Sequence, residues 1–293
     1  MGASIKDMLA NFRRQNTLIQ LIGINAAIFL VLTVVKIIGL LFDLSFPDFI
    51  QYIGVSSDLG ILVRRIWTLI TYMFVHYDIW HVLMNMLMLY WFGRIFLMYF
   101  TPKNMTALYV LGGLAGAVFY ILTFNTIPYF VKQGDSYMVG ASASVMAIIF
   151  ASAFYNKNLE LNLFFVLRVK IIYIAWALFV FDIIALGNGS NLGGHIAHIG
   201  GAALGYFYAE RFRKGKDITR GLNVLIDKIA NLFKPKPKMR VTYKNKKDAD
   251  YDYNQRKHKE GEEIDRILDK IKQSGYSSLN DDEKKRLFDA SKK

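Results

Sequence analysis

Apolar and polar positions along this chain change over on the scale of a bilayer. Six stretches, 18–42, 79–98, 105–124, 139–155, 164–186 and 192–209, are nearly continuous runs of apolar residues. About 20 such residues in a helix cross a hydrocarbon core of ~30 Å, so the pattern predicts six membrane-spanning helices. The first run is too long for the ~7 to 15 apolar residues of a signal-peptide core and lacks a small-residue cleavage site, so it is expected to be retained. The fourth is short, which suits a helix surrounded by protein rather than lipid. The long connection over 43–78 carries Arg64, Arg65, Trp67, Tyr72 and Phe74 and reads as a segment lying at headgroup depth.

Beyond residue 210 the pattern changes. Ile218, Leu222, Leu225, Ile226, Ile229 and Phe233 fall at helical spacing and predict a helix lying on the inner leaflet. The Lys-Pro-Lys-Pro-Lys run at 234–238 blocks helix, and a linker is expected to continue to about Gly261. From 262 to 273, Ile264, Ile267, Leu268 and Ile271 form one stripe, and Gly275 supplies a stop. Asn280 and Glu283 read as a capping box that opens a second helix. A hairpin of this size is small for autonomous stability, so it is expected to dock on something or to form an oligomer. The division is thus 1–17, a cytoplasmic N-terminus; 18–210, the membrane domain; 211–261, a basic amphipathic and linker segment; and 262–293, a helical hairpin. The fold class is all-α and polytopic.

Charge refines this picture. The chain has 293 residues, 54% of them hydrophobic, yet a net charge of +13, because greasy and basic residues are segregated. Between 211 and 247 there are 13 Lys or Arg against Asp217 and Asp227. So close to a membrane, this strip is expected to attract anionic lipid rather than nucleic acid. Lys6, Arg13 and Arg14 precede the first span, Arg94 near the end of the second and Lys103 before the third lie on one side, and Lys157, Arg168 and Lys170 lie between or just inside the fourth and fifth. With Arg211 and Arg213 after the sixth, this bias places both termini in the cytoplasm. Cysteine is absent, which excludes a disulfide framework, a thiolate zinc site and a Cys nucleophile. No repeat of 20 to 50 residues and no inverted repeat is visible, against solenoid and transporter architectures.

Candidate chemistry lies in three of the spans. His81 and Asn85, four apart, stack on one face of the second; such a polar pair is costly in hydrocarbon unless partnered. The fourth opens on Gly140-Ala141-Ser142-Ala143-Ser144, and the sixth holds His195, His198, Gly201 and Gly205. Gly201 and Gly205 form a face that lets another helix approach closely, and His198 shares it. The second, fourth and sixth spans all run from outside to inside, and Ser142, His81 and His198 fall within their first several residues. At 1.5 Å per residue all three share roughly the outer third of the membrane. Ser142 is then the candidate nucleophile and His198 the base that takes its proton. His81, Asn85 and the backbone N–H at the Ser142 helix start would stabilise the oxyanion. No carboxylate is required: an acid at Asp182 could orient a histidine, but so near the end of its helix it is expected to reach water and reads as structural, as does His76, nearer the surface. Ser144 is turned to another face.

Together these residues resemble the rhomboid intramembrane serine proteases. The resemblance spans about 18–210 and is carried by His81-xxx-Asn85, Gly140-x-Ser142 and Ala197-His198-xx-Gly201-xxx-Gly205, in that order with six spans. It implies a Ser142/His198 dyad with His81 and Asn85 at the oxyanion, no metal or cofactor, and cleavage of transmembrane protein substrates near the outer face. Bacterial relatives carrying similar tails suggest a bacterial inner membrane. Three positions depart from the family pattern: Ala143 where glycine is usual, Met146 where an aromatic residue often stacks under the base, and Trp67-Thr68 where Trp-Arg is frequent. They motivate an alternative, a catalytically silent rhomboid-like protein that binds membrane helices for quality control. A haem or metal site using His76, His81, His195 and His198 is disfavoured because no HExxH occurs.

Overall fold

The computed structural model describes residues 12, 15–44, 48–163, 167–189, 191–232 and 246–291. They fall into two compact units, Met1–Phe233 and Lys234–Lys293.

In the first unit, α1 (Thr17–Leu41) starts at Asn16, whose side chain accepts from the Ile19 N–H. Apolar side chains such as Leu30, Val31 and Val34 cover its outer face, as a lipid-facing helix requires. Its one fully buried polar residue, Asn25, donates to the Leu21 carbonyl at 2.8 Å and to the Tyr109 hydroxyl at 3.1 Å. An unpartnered amide there would be costly, and these bonds satisfy it.

The 43–78 connection folds as a series of short elements: α2 (Phe49–Ile53), β1 (Val55–Ser56), α3 (Leu59–Arg64), α4 (Thr68–Thr71) and a 3-10 turn over Tyr72–Phe74. The Arg65 guanidinium lies over the Tyr52 ring at 4.3 Å, and Trp67 Nε1 donates to the Tyr52 carbonyl at 2.9 Å. Next come α5 (Ile79–Phe96), α6 (Pro102–Thr126) and α7 (Pro128–Val131), then β2 (Tyr137–Met138), which pairs antiparallel with β1.

The central helix is α8 (Ser142–Tyr155), buried at every residue from Ala143 to Phe154. The short fourth stretch is therefore enclosed by protein, as its length suggested. Its helix begins at 142 rather than 139, because β2 and Gly140 commit the preceding backbone to extended and left-handed conformations. The fifth stretch also starts later: β3 (Glu160–Leu163) and β4 (Leu167–Lys170) pair antiparallel before α9 (Ile171–Leu186). Residues 164–166 of the expected span lie outside the described residues.

The sixth helix is α10 (Leu192–Arg213). A Cβ at Gly201 or Gly205 would overlap the carbonyl oxygens of Ala143 and Ala147, so α10 meets α8 backbone to backbone. Gly112 and Gly116 give α6 the same intimacy on another side of α8. Among the described residues, by length and composition alone, only α1 and α6 are clear spans, with α8 and α9 shorter and apolar. In α5 and α10, histidine, asparagine and glycine dilute the apolar signal, and these helices carry the candidate histidines and Asn85.

The expected surface helix is α11 (Arg220–Leu232), with Leu222 and Ile226 half-buried and Val224, Leu225 and Ile229 exposed. Phe233 and the Lys-Pro run lie outside the described residues. Asn104 at the start of α6 donates to Asp217 Oδ2 at 2.8 Å and to Thr219 Oγ1 at 2.9 Å, and Lys103 pairs with Asp227 at 2.6 Å.

In the second unit, the linker expected as far as 261 is helical from residue 246: α12 runs Lys246–Ser274. The apolar stripe begins only at Ile264, so the polar first half gave no periodic signal. Gly275 adopts φ +77° and ends α12, and the Asn280/Glu283 capping box opens α13 (Asp281–Ala290). Ile267 and Leu279 are buried within the hairpin, and Lys270 bonds Glu283 at 2.9 Å, which holds that carboxyl below its usual range.

Candidate active site

Ser142 is the first residue of α8, placed there by the turn before it. Gly140 has φ +133°, a conformation that disfavours any side chain, and its N–H donates to the Tyr72 carbonyl at 3.0 Å. A Cβ on Gly140 would stand 2.8 Å from His81 Nε2 and 3.6 Å from Ser142 Oγ, so glycine leaves those two side chains room to approach each other. His76 is buried rather than near the surface: its ring sits edge-on to His81 at 4.9 Å, and its Nε2 accepts from the Ala141 N–H at 3.4 Å. It braces the turn that presents Ser142.

One cavity of about 220 Å³ is lined by Ser142, Asn85, Met146, Asp182, His195 and His198, with apolar side chains completing its wall. The Asn85 amide donates to the His81 carbonyl at 2.9 Å and keeps its second N–H free of that bond. A second, more polar cavity of about 710 Å³ is lined by His81, Tyr77, Asp78, Asp135, Ser136 and Asn191, among others. Ser142, Asn85 and His198 thus share one cavity, while His81 faces the other from beside Gly140.

Two of the family departures find a place here. The Ala143 methyl packs toward Gly116, where an added Cβ would lie only 2.5 Å away, so the missing side chain on α6 houses the extra carbon. Met146 is buried and lines the Ser142 cavity. Ser144 is fully buried, directed at Gly113 on α6, and its Oγ has no hydrogen-bond partner among the described residues.

Asp182 departs from the sequence expectation. It does not reach water: it is buried, and its Oδ1 lies 2.7 Å from His198 Nδ1 and 2.8 Å from His195 Nδ1. The tight connection after α9, with Asn191 at φ +48°, turns α10 back so that the two helix ends face each other. Histidines three apart in a span were a signal for a shared partner; the carboxylate itself looked too close to the helix end. Asp182, His195 and His198 are also the residues whose ligand atoms converge as a metal site requires, all within 4.8 Å of one another.

The arrangement is a helical bundle with a serine and a histidine in the wall of one partly open cavity. Residues 63–214, just over half of the chain, match the rhomboid domain, and the chain belongs to the rhomboid family of integral membrane proteins. Residues 247–293 match a second family, of unknown function, DUF6576. The chain is 35% identical over 162 residues to RHOMBOID-like protein 12, mitochondrial, of Arabidopsis thaliana, covering 52% of this chain and 48% of that protein. It is 32% identical over 139 residues to presenilin-associated rhomboid-like protein A, mitochondrial, of Danio rerio, covering 46% of this chain and 34% of that protein. The chain therefore spans less than half the length of these curated relatives. Both are mitochondrial proteins, so they lend no support to the expected bacterial inner membrane.

Proposed function

We propose that this protein is an intramembrane serine endopeptidase that cleaves transmembrane-helix substrates. The observation that carries the reading is the shared cavity of Ser142 and His198 at the head of α8, with Asn85 in its wall. A serine hydroxyl is a weak nucleophile at neutral pH and needs a base. His198 takes the Ser142 proton as Oγ attacks the scissile carbonyl carbon. The carbonyl electron pair moves to oxygen, where the free Asn85 N–H, His81 and the unpaired N–H groups at the start of α8 stabilise the charge. Donors of this kind each contribute about 3 kcal/mol to the transition state. His198 then gives its proton to the leaving amine, and water hydrolyses the acyl-enzyme in the reverse order of steps. The polar cavity beside His81 is suited to hold that water.

The basic strip and the exposed apolar residues of α11 fit binding to an anionic lipid surface, with both termini on that side and the cleavage site toward the opposite face. Cleavage of a model transmembrane substrate, resolved on a gel, tests the activity. Wild type should yield product, and Ser142→Ala and His198→Ala should yield none. Binding of substrate without cleavage, unchanged by Ser142→Ala, would instead identify a silent binder.

A further inference from the structure

Asp182 is a carboxylate set in the wall of the Ser142 cavity, with one oxygen shared between two imidazoles. Its side chain is 6% exposed, while those of His198 and His195 are 17% and 12% exposed. An ionised carboxylate only accepts hydrogen bonds. With Asp182 ionised, each imidazole within bonding distance of its Oδ1 donates from Nδ1. For His198 this leaves the Nε2 lone pair bare, and a ring acting as a base toward Ser142 needs that tautomer.

We propose that Asp182 is a positioning residue for His198, fixing its tautomer and ring orientation and stabilising the imidazolium formed during the reaction. This rests on the reading of Ser142 as nucleophile and His198 as base. In the step concerned, the Ser142 O–H bond breaks and its proton moves to His198 Nε2. The Oγ electron pair forms the new bond to the substrate carbonyl carbon. The Nδ1 proton stays on His198 throughout, and Asp182 remains ionised. His195 donates to the same oxygen from one helical turn away and holds the carboxylate between the two rings. The site thus works as a serine, a histidine and an aspartate, although neither sequence spacing nor depth called for the third member.

A purely structural staple between α9 and α10 would use the same contacts, so the test must separate the two roles. Asp182→Asn keeps the volume and one acceptor but can present an amide N–H to Nδ1, which favours the unproductive tautomer. Cleavage kinetics on purified wild type, Asp182→Asn, Asp182→Glu and His195→Gln are compared, with thermal unfolding of each. Positioning predicts that Asp182→Asn lowers kcat by roughly 10²- to 10⁴-fold while KM changes by less than about threefold, with partial recovery in Asp182→Glu. His195→Gln, which leaves His198 its carboxylate, should lose less than about tenfold.

A kcat for Asp182→Asn within about threefold of wild type would overturn the inference, as would a loss of melting temperature with kcat retained by the folded fraction. Should Asp182→Asn fail to fold, ¹⁵N shifts of the wild-type imidazoles decide, with His198 separated from its neighbour by the His195→Gln spectrum. A proton on Nδ1 and none on Nε2 supports the inference; the opposite tautomer overturns it. Failure of the underlying reading looks different: Ser142→Ala would then cleave as well as wild type.

Discussion

Gly201 brings the backbone of α10 so close to the Ala143 carbonyl oxygen that a Cβ there would overlap it. The contact sets the spacing between the helix that carries His198 and the helix that carries Ser142. Gly201→Ala must push them apart, since backbone on the far side cannot swing away as a flexible side chain does. Overpacking of this kind costs about 1–3 kcal/mol. A displacement of ~1 Å at reacting groups costs on the order of 10²-fold in rate. Thermal unfolding and substrate cleavage should therefore both fall in Gly201→Ala, activity more steeply than stability. Wild-type activity in this variant would show that the spacing does not govern the site.

The Ala143 methyl lies against Gly116, and this pairing gives the family departure a physical reading. Ala143→Gly exchanges a good helix former for a poor one in the first turn of α8, a loss of up to about 1 kcal/mol, and opens a small void. Stability should fall by that order while cleavage stays within a few fold of wild type. Gly116→Ala, which crowds the methyl and the Ala197 carbonyl, should be the more damaging change. Purified variants compared by melting temperature and cleavage rate check both.

The helices of the six apolar stretches, the placing of Ser142 at a helix head and the glycine face of α10 were legible because each follows from local pattern: apolar length, small residues and i, i+4 spacing. Asp182 was not. Its contact with His198 depends on how tightly the chain turns after α9, and a carboxylate near a helix end looks solvated until that turn folds back over it. The early start of α12 was missed for a different reason. Residues 246–261 lack an apolar stripe, and Gly261 looked like a boundary although the helix runs through it. The late starts of α8 and α9 reflect strand pairing, which apolar runs alone do not distinguish from helix.

His76, in the loop before α5, ties histidine chemistry to stability. Burial, with the His81 imidazole beside it, pushes its pKa down to about 4. The unfolded chain takes up that proton near pH 6.5, the folded chain only near 4. Stability linked to His76 is therefore full above about pH 6.5 and declines as pH falls toward 4. Melting temperature measured across that window should drop more in wild type than in His76→Gln, which cannot titrate. Parallel curves would contradict the assignment.

Asn104 anchors α11 to the start of α6 through Asp217 and Thr219. Asn104→Ala removes both bonds, one to the half-buried Asp217 and one to the buried Thr219, which keeps Asn223 as a donor, a loss of about 1 kcal/mol. The expected effect is local: amide exchange over 217–232 should speed up while α8 and α10 stay protected. Equal protection of α11 in the variant would mean that other contacts hold it.

Fluorophosphonate labelling followed by mass spectrometry of the modified peptide tests the central claim most directly, since it reports the activated serine without needing the native substrate. One adduct is expected, on Ser142, absent from Ser142→Ala and strongly reduced in His198→Ala. An adduct on Ser144, or labelling of Ser142→Ala equal to wild type while a control rhomboid protease reacts normally, would contradict it.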